Sequence, residues 1–300
     1  MFYDATPEVT AIPEEIRTLD AAVGTGRTVA LPSGRVAYTE RGLGPPIVFV
    51  HGLLVNANLW RNVVPVISGA GFRCIAPDWP LGAHQVPMPA DADLTPSGVA
   101  TLIAEFLDAL DLTDVTVVAN DTGGALTQIL MANHPERLGR VVLTPCDAFE
   151  DFLPEPFTSL PELVRLPGAV WLASRLLRLP VVQRRPSAFG WLAKRGIPAE
   201  IMDSYIRPSY DSRQIRRDAR RFIVGAHNRY TLAAAQSLTG FSKPVLLVRA
   251  QDDRIFPAGL FERLAATLPD ARLVTVADSY TFVSEDQPSE LARLVVEFAA

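Results

Sequence analysis

Within the stretch Val115 to Gly124, VTVVANDTGG, a carboxylate sits where a chain could hold a nucleophile. Asp121 has Ala119 and Gly123 two residues away on either side. Small residues at those positions let a strand turn sharply into a helix, so that one side chain stands above the sheet edge. A carboxylate held in this way can attack an electrophilic carbon and form an ester, or it can exchange a proton with a substrate. The helix expected from about Thr122 to Asn133 would aim its first amides at negative charge there. Taken alone, the same stretch also reads as a strand-turn-helix crossover whose Asp caps the helix.

To place a turn above a sheet edge the chain needs a sheet, and the elements around Asp121 predict one. The run Val115 to Val118 is β-branched and short enough for a fully buried parallel strand. Upstream, two short strands are expected near Arg27 to Leu31 and Arg35 to Glu40, joined by the turn residues Pro32, Ser33 and Gly34. Pro46 to Val50 follows as an apolar strand, then a helix from about Trp60 to Ser68 and the strand Arg73 to Ala76. Thr95 and Pro96 open an amphipathic helix that runs to about Leu110, with Thr95 as cap. Val141 to Leu143 is the next strand, and the alternation predicts a mostly parallel α/β sheet with helices on both faces.

From Asp147 to about Leu238 the pattern changes to helical segments broken by eight prolines, without a clear strand. It then resumes with Val245 to Val248, a helix near Leu260 to Leu268, the strand Leu273 to Val276 and a helix from about Ser289 to Phe298. The reading is a core of residues 1–146 and 239–300 with a helical cap, 147–238, inserted over the carboxyl edge of the sheet, where ligands bind in open α/β sheets.

Composition narrows the classes. The chain has 300 residues, 48% of them hydrophobic, and a formal net charge of −5, which gives no reason to expect nucleic acid. Arg216, Arg217, Arg220 and Arg221 cluster, but Asp218 interrupts them at helical spacing, so a solvated or salt-bridged helix face is expected. Cys74 and Cys146 lie in or beside strands and read as buried free thiols, which suits a reducing cytoplasm. The N-terminal MFYDATPEVT lacks a basic patch followed by an apolar core, and no apolar run reaches membrane-spanning length. The expectation is a soluble cytoplasmic protein without membrane partners, metal or cofactor, whose partner is a hydrophobic small-molecule substrate; a homodimer is left open.

With these residues in view, the chain resembles the α/β-hydrolase fold, and within it the haloalkane dehalogenases and epoxide hydrolases. HGLLVNANLWRNVVP, from His51 to Pro65, with FRCIAPD, from Phe72 to Asp78, is similar to the oxyanion-loop region of the dehalogenases. The turn ANDTGG carries Asp as nucleophile, as both groups do, and TFVSEDQP, from Thr281 to Pro288, resembles the segment that follows the family's catalytic histidine.

The resemblance implies roles residue by residue. Asp121 would form an alkyl ester, with the backbone N–H groups of Leu53 and Thr122 as oxyanion donors. Asp253, four residues before Pro257, matches the family's acid, and Asp147 falls where some dehalogenases carry theirs; each could instead be a turn or cap carboxylate. Thr281 stands where the catalytic histidine belongs, and no histidine follows His227. A threonine hydroxyl cannot take a proton from water at neutral pH, so the hydrolytic step lacks an evident base. His84 is the substitute base expected from its loop, whereas His51 and His134 read as structural. The halide-binding Trp and Asn of the dehalogenases are replaced by Thr122 and Leu53. Trp60, Trp79, His51, Tyr205, Tyr210, Thr281 and Phe282 complete the expected pocket. Three functions remain open: a hydrolase acting at a carbon–halogen, epoxide or ester group; a non-hydrolytic enzyme with Asp121 as general acid or base, in isomerisation, elimination, cyclisation or carbon–carbon bond formation in natural-product biosynthesis; and a ligand-binding protein without catalysis.

Overall fold

The computed structural model describes residues 9–11 and 21–300. The N-terminal stretch to about Ala22 therefore lies largely outside the described residues. Its Val9–Ala11 piece forms strand β1, paired antiparallel with β2 (Thr25–Leu31). β2 turns through Pro32 and Ser33 into β3 (Gly34–Arg41), the hairpin that the turn residues predict.

The parallel part begins with β4 (Pro46–Val50), α1 (Val64–Gly69) and β5 (Arg73–Pro77). The helix expected from Trp60 starts later, because Pro65 has no N–H to give and fits only a first helical turn; Ala57–Trp60 is a separate 3-10 turn. α2 (Pro96–Ala109) is capped by Thr95, whose hydroxyl accepts the Gly98 N–H. β6 (Val115–Asp121), α3 (Thr122–Asn133) and β7 (Leu138–Cys146) follow. Between β7 and the next strand lie six helices, α4 (Leu160–Leu163), α5 (Ala169–Leu176), α6 (Pro180–Gln183), α7 (Ala199–Asp211), α8 (Arg213–Gly225) and α9 (Arg229–Leu238). The chain closes with β8 (Val245–Ala250), α10 (Ala258–Thr267), β9 (Ala271–Val276), α11 (Val283–Asp286) and α12 (Pro288–Ala299).

The nine strands form one sheet in the order β1-β2-β3-β5-β4-β6-β7-β8-β9, parallel from β5 to β9. Because β4 leads to β5 in one direction and β5 to β6 in the other, right-handed crossovers put α1 and α2 on opposite faces. The packing agrees: α3 lies against α2 and α9, while α1 lies against α12. The direction of winding reverses between β4 and β6, which opens a crevice beyond their carboxyl ends. β4 runs there into His51, Gly52 and Leu53, and β6 ends there in Asp121. Cys74 and Cys146 are buried free thiols, as their strand positions predict.

Candidate active site

Asp121 has φ 54° and ψ −134°, a sparsely populated conformation for a residue with a Cβ, which costs roughly 1–3 kcal/mol. Close backbone packing holds it there. A Cβ at Gly52 would overlap the Asp121 side chain, one at Gly123 would strike the carbonyls of Val50 and His51, and one at Gly124 would strike Cys146. The β6–β7 register also shifts between Ala119 and Asp121, where the strand bends into the turn.

The two backbone donors named from the sequence converge on the carboxylate. Leu53 N–H donates to Asp121 Oδ2 at 3.2 Å, and the Thr122 N–H lies near enough to the same carboxyl group to lower its pKa without a well-formed hydrogen bond. Burial raises the Asp121 pKa to about 6, the Thr122 and Leu53 N–H groups hold it back, and the charge of Asp253 adds to the rise.

Both other aspartates stand close by. Asp147 is buried, with Oδ1 accepting the Leu153 N–H at 2.9 Å and Oδ2 unpartnered. Burial and then Asp121 push its pKa well above the carboxylate range, so the neutral acid is favoured. The Thr122 hydroxyl lies near enough to influence both Asp121 and Asp147 but makes no well-formed hydrogen bond to either. Asp253 Oδ1 accepts from Ile255 N–H at 2.8 Å, Phe256 N–H at 3.1 Å and the Thr281 hydroxyl at 3.0 Å. Burial raises its pKa and these donors oppose the rise; its Oδ2 has no partner.

Thr281 is thus bonded to the acid, at the place where the resemblance expects a histidine. The loop that carries it is firmly built. Arg61 makes a bidentate, buried pair with Glu285 at 2.5 and 2.7 Å. Asp286 accepts the backbone N–H groups of Lys194, Arg195 and Tyr280 at 2.9, 2.7 and 2.8 Å. Asn120, next to the elbow Asp, donates from Nδ2 to the Thr281 carbonyl at 2.8 Å and to Thr144 Oγ1 and the Pro145 carbonyl. Sequence reading passed over Asn120, although a carboxamide inside an otherwise apolar buried strand is a signal that something must satisfy it.

A cavity of about 400 Å³ lies over Asp121 and Thr122, bounded by Leu53 and Leu54 below and by Leu153, Phe157, Leu160, Leu177, Phe189 and Leu192 from the inserted segment. Ser159 and Ser187 are the other polar groups of its wall. A void of about 50 Å³ borders it across Leu54, Leu160 and Phe189.

Several expected pocket residues are elsewhere. Tyr205 lines the small void, stacked on Phe189 at 6.2 Å with its hydroxyl unpartnered, and does not reach the cavity over Asp121. Tyr210 lies against the guanidinium groups of Arg175 and Arg178, 4.2 and 4.5 Å from its ring centre, and accepts a hydrogen bond from Arg175, so its phenol is committed away from the cavity. Trp60 packs on Phe49, while Trp79 packs on Phe106 and donates Nε1–H to the Phe49 carbonyl; both belong to the core. Phe282 is core as well, its N–H tied to the Leu192 carbonyl.

The four histidines are all accounted for. His51 donates Nδ1–H to the Gly52 carbonyl and accepts the Trp79 N–H at Nε2, and burial lowers its pKa to about 4, so it is neutral and holds the loop. His84, expected as the substitute base, is not brought to Asp121. Its Nδ1 accepts the Gly82 N–H and its Nε2 pairs with Asp218 on α8 at 3.3 Å, which leaves neither nitrogen for a substrate. His134 meets Thr101, and His227 accepts the Arg229 N–H. None of the four lines the cavity. Among the described residues, no group of three or more His, Cys, Asp or Glu is arranged to hold a metal ion, and no helix is long and apolar enough to cross a membrane.

A strained carboxylate at a strand-to-helix turn, met by two backbone donors at the reversal of a parallel sheet, defines an enzyme of the α/β-hydrolase type. Residues 45–288 match the alpha/beta hydrolase fold family, and the chain belongs to it. Its relatives include haloalkane dehalogenase 2 of Mycobacterium tuberculosis, 27% identical over 99% of both chains. Another is cis-3-alkyl-4-alkyloxetan-2-one decarboxylase of Shewanella oneidensis, 28% identical over 88% of this chain and 85% of that one. The solved structure of the haloalkane dehalogenase DatA from Agrobacterium tumefaciens superposes with a TM-score of 0.76, covering 93% of this chain and 98% of that one at 22% identity, a likeness of fold.

Proposed function

We propose that this enzyme acts on a hydrophobic small organic molecule, with Asp121 as the reacting group and no histidine in the reaction. In this reading residues 147–238 serve as a cap that closes the cavity against water. The observation that carries it is the partner of the acid: Asp253 is bonded by Thr281, and no imidazole lines the cavity. Hydrolysis of an alkyl-enzyme ester needs a base to activate water, and a threonine hydroxyl is not one. Proton transfer by Asp121 needs none.

With a pKa of about 6, Asp121 is mainly ionised at pH 7. The carboxylate takes a proton from an activated C–H or O–H of the substrate. It thereby becomes the neutral form that its buried surroundings favour. The Leu53 and Thr122 N–H groups then lose their anionic acceptor and can donate to negative charge left on the substrate. Protonated Asp121 returns the proton at another atom, which completes an isomerisation, elimination or cyclisation. The decarboxylase among the relatives is, by its name, an enzyme that does not hydrolyse its substrate.

Hydrolysis through an Asp121 ester is the second reading. It is favoured by the same two N–H groups, which sit where an oxyanion develops when such an ester is cleaved, and by the dehalogenases among the relatives. Intact-protein mass and chromatography after incubation with haloalkanes, epoxides, activated esters and 2-oxetanones separate the two. The first reading expects product without adduct and without incorporated water oxygen, lost in Asp121→Asn. Product carrying labelled water oxygen over many turnovers assigns hydrolysis, and stable adduct without turnover assigns Asp121 as a nucleophile whose ester is not cleaved; either outcome overturns the first reading.

A further inference from the structure

The surface above the cavity differs from the rest of the chain in both charge and polarity. Residues 161–187 hold Arg165, Arg175, Arg178, Arg184 and Arg185 against one carboxylate, Glu162, in a chain whose formal net charge is −5. In the same stretch Leu163, Leu166, Trp171, Leu172, Leu179 and Val181 are each between 47% and 67% exposed. Only Val164 and Ser174 of these residues are buried. Leu163 and the exposed Leu176 also line the cavity, so this apolar face adjoins it.

The basic character extends onto α8. A groove joins Arg165, Leu166 and Trp171 to Arg213, Arg216 and Arg220. Asp218, expected to interrupt this cluster, is fully buried instead: it bonds His84 and the Met88 N–H and takes only Arg217 from the arginines. Arg216, Arg220 and Arg221 donate to backbone carbonyls. Their positive charge faces no carboxylate among those bonds.

We infer that this face is a peripheral docking surface for a lipid bilayer with anionic headgroups. Half-exposed Trp and Leu side chains among arginines are the composition that sinks into the boundary between headgroups and acyl chains while cations meet the phosphates. The sequence expectation of no membrane partner rested on the lack of a spanning segment, which a face lying on the bilayer does not need. A second copy of the chain is a poor occupant, because a two-fold contact across this face would set arginine against arginine. Docking would bring the cavity mouth to the phase in which an apolar substrate dissolves. That link rests on the proposed function, whereas the docking itself rests on charge and polarity.

The test is flotation of the full chain with vesicles of phosphatidylcholine alone and of phosphatidylcholine with about one-third phosphatidylglycerol. Binding to the anionic vesicles at low salt and release at high salt are expected, with little binding to the neutral ones. Arg184→Gln with Arg185→Gln should weaken binding about thirtyfold. Leu172→Ser with Val181→Ser should weaken it at least about tenfold with an unchanged unfolding temperature. Asp121→Asn should bind as the parent does, so a failure of the proposed chemistry is read separately. Absence of binding to anionic vesicles at low salt, or binding that neither pair of substitutions alters, overturns the inference. So does equal affinity for polyglutamate, which assigns the face to an acidic protein, or a dimer in solution that Leu172→Ser with Val181→Ser dissociates.

Discussion

The elbow at Asp121 and the loop at Thr281 meet at one end of the sheet, tied together by Asn120. The elbow has both a scaffold and the carboxylate proposed to react: the positive φ, the close-packed glycines around it and the Leu53 N–H donor are all in place. The loop retains its scaffold alone. Its buried Arg61–Glu285 pair and the three N–H bonds to Asp286 are intact, yet the side chain they present to Asp253 is a hydroxyl. On the proposed function, architecture and reactivity are separable: the loop is fixed in place by its buried bonds while the side chain it turns toward Asp253 carries no base. The two regions should therefore respond to substitution in opposite ways.

At the elbow, function and stability oppose each other. Asp121→Asn should lower activity at least about a thousandfold, measured as product formed, because no other cavity group can move the proton. The same variant should be the more stable protein. The folded-state pKa of Asp121, about 6, lies above the ordinary value of 3.8, so the charged form is penalised in the folded state. That penalty is absent below about pH 4, grows as pH rises through about 6, and is full above it. Urea unfolding at pH 8 should therefore show a gain on the order of 1–3 kcal/mol for Asp121→Asn, closing as the pH is lowered to 4. A variant no more stable than the parent at pH 8 would remove the case for a raised pKa at Asp121.

At the loop the expected loss is structural. Glu285→Gln removes the carboxylate that makes the bidentate pair with the buried Arg61 guanidinium and should cost roughly 3–5 kcal/mol of stability, read from the unfolding midpoint. Replacing both partners, Arg61→Met with Glu285→Leu, should recover most of that loss. If the double variant also recovers activity at permissive temperature, the pair acts through the fold; if activity stays lost, the loop contributes more than position.

The pH profile carries the next effect in size. With Asp121 as base, kcat/KM should fall about tenfold per unit as pH drops below about 6, since protonation removes the reacting form. A profile that is flat between pH 7 and 4.5 would exclude Asp121 as the titrating group.

Much of the fold could be read in advance. The β-branched run of β6, the Pro32-Ser33-Gly34 turn and the Thr95 cap are local signals, and local signals survive in a sequence read residue by residue. Asp121 with its Leu53 and Thr122 donors was legible for the same reason, because the small-x-Asp-x-small spacing and the loop after β4 each fix a backbone position. What could not be read was the direction of side chains whose partners are distant. His84 looked free in its loop, but its partner, Asp218, lies 134 positions on. Tyr210 reads as a pocket phenol in the sequence, but Arg175 and Arg178 both lie against its ring. Asp218 looked like a neutralising surface charge and is buried. In each case a polar group was captured by a tertiary partner, which one-dimensional spacing does not record.

The smallest expected effect bears most directly on the contrast between elbow and loop. Thr281→Val keeps the shape of a fully buried side chain and removes the hydroxyl that donates to Asp253 Oδ1. Asp253 keeps the Ile255 and Phe256 N–H bonds, so the loss of one neutral donor should cost only about 1 kcal/mol in stability. The electrical consequence is more telling. The Thr281 bond holds the pKa of Asp253 down, so without it Asp253 takes up a proton more readily. The charge of Asp253 in turn raises the pKa of Asp121, so a more protonated Asp253 should let Asp121 ionise at lower pH. The acid limb of the kcat/KM profile should then move down by a few tenths of a unit, roughly a twofold gain in rate on that limb. A threonine that only fills space would leave the limb where it is. A limb that moved upward would mean that Thr281 acts on Asp121 by some route other than Asp253.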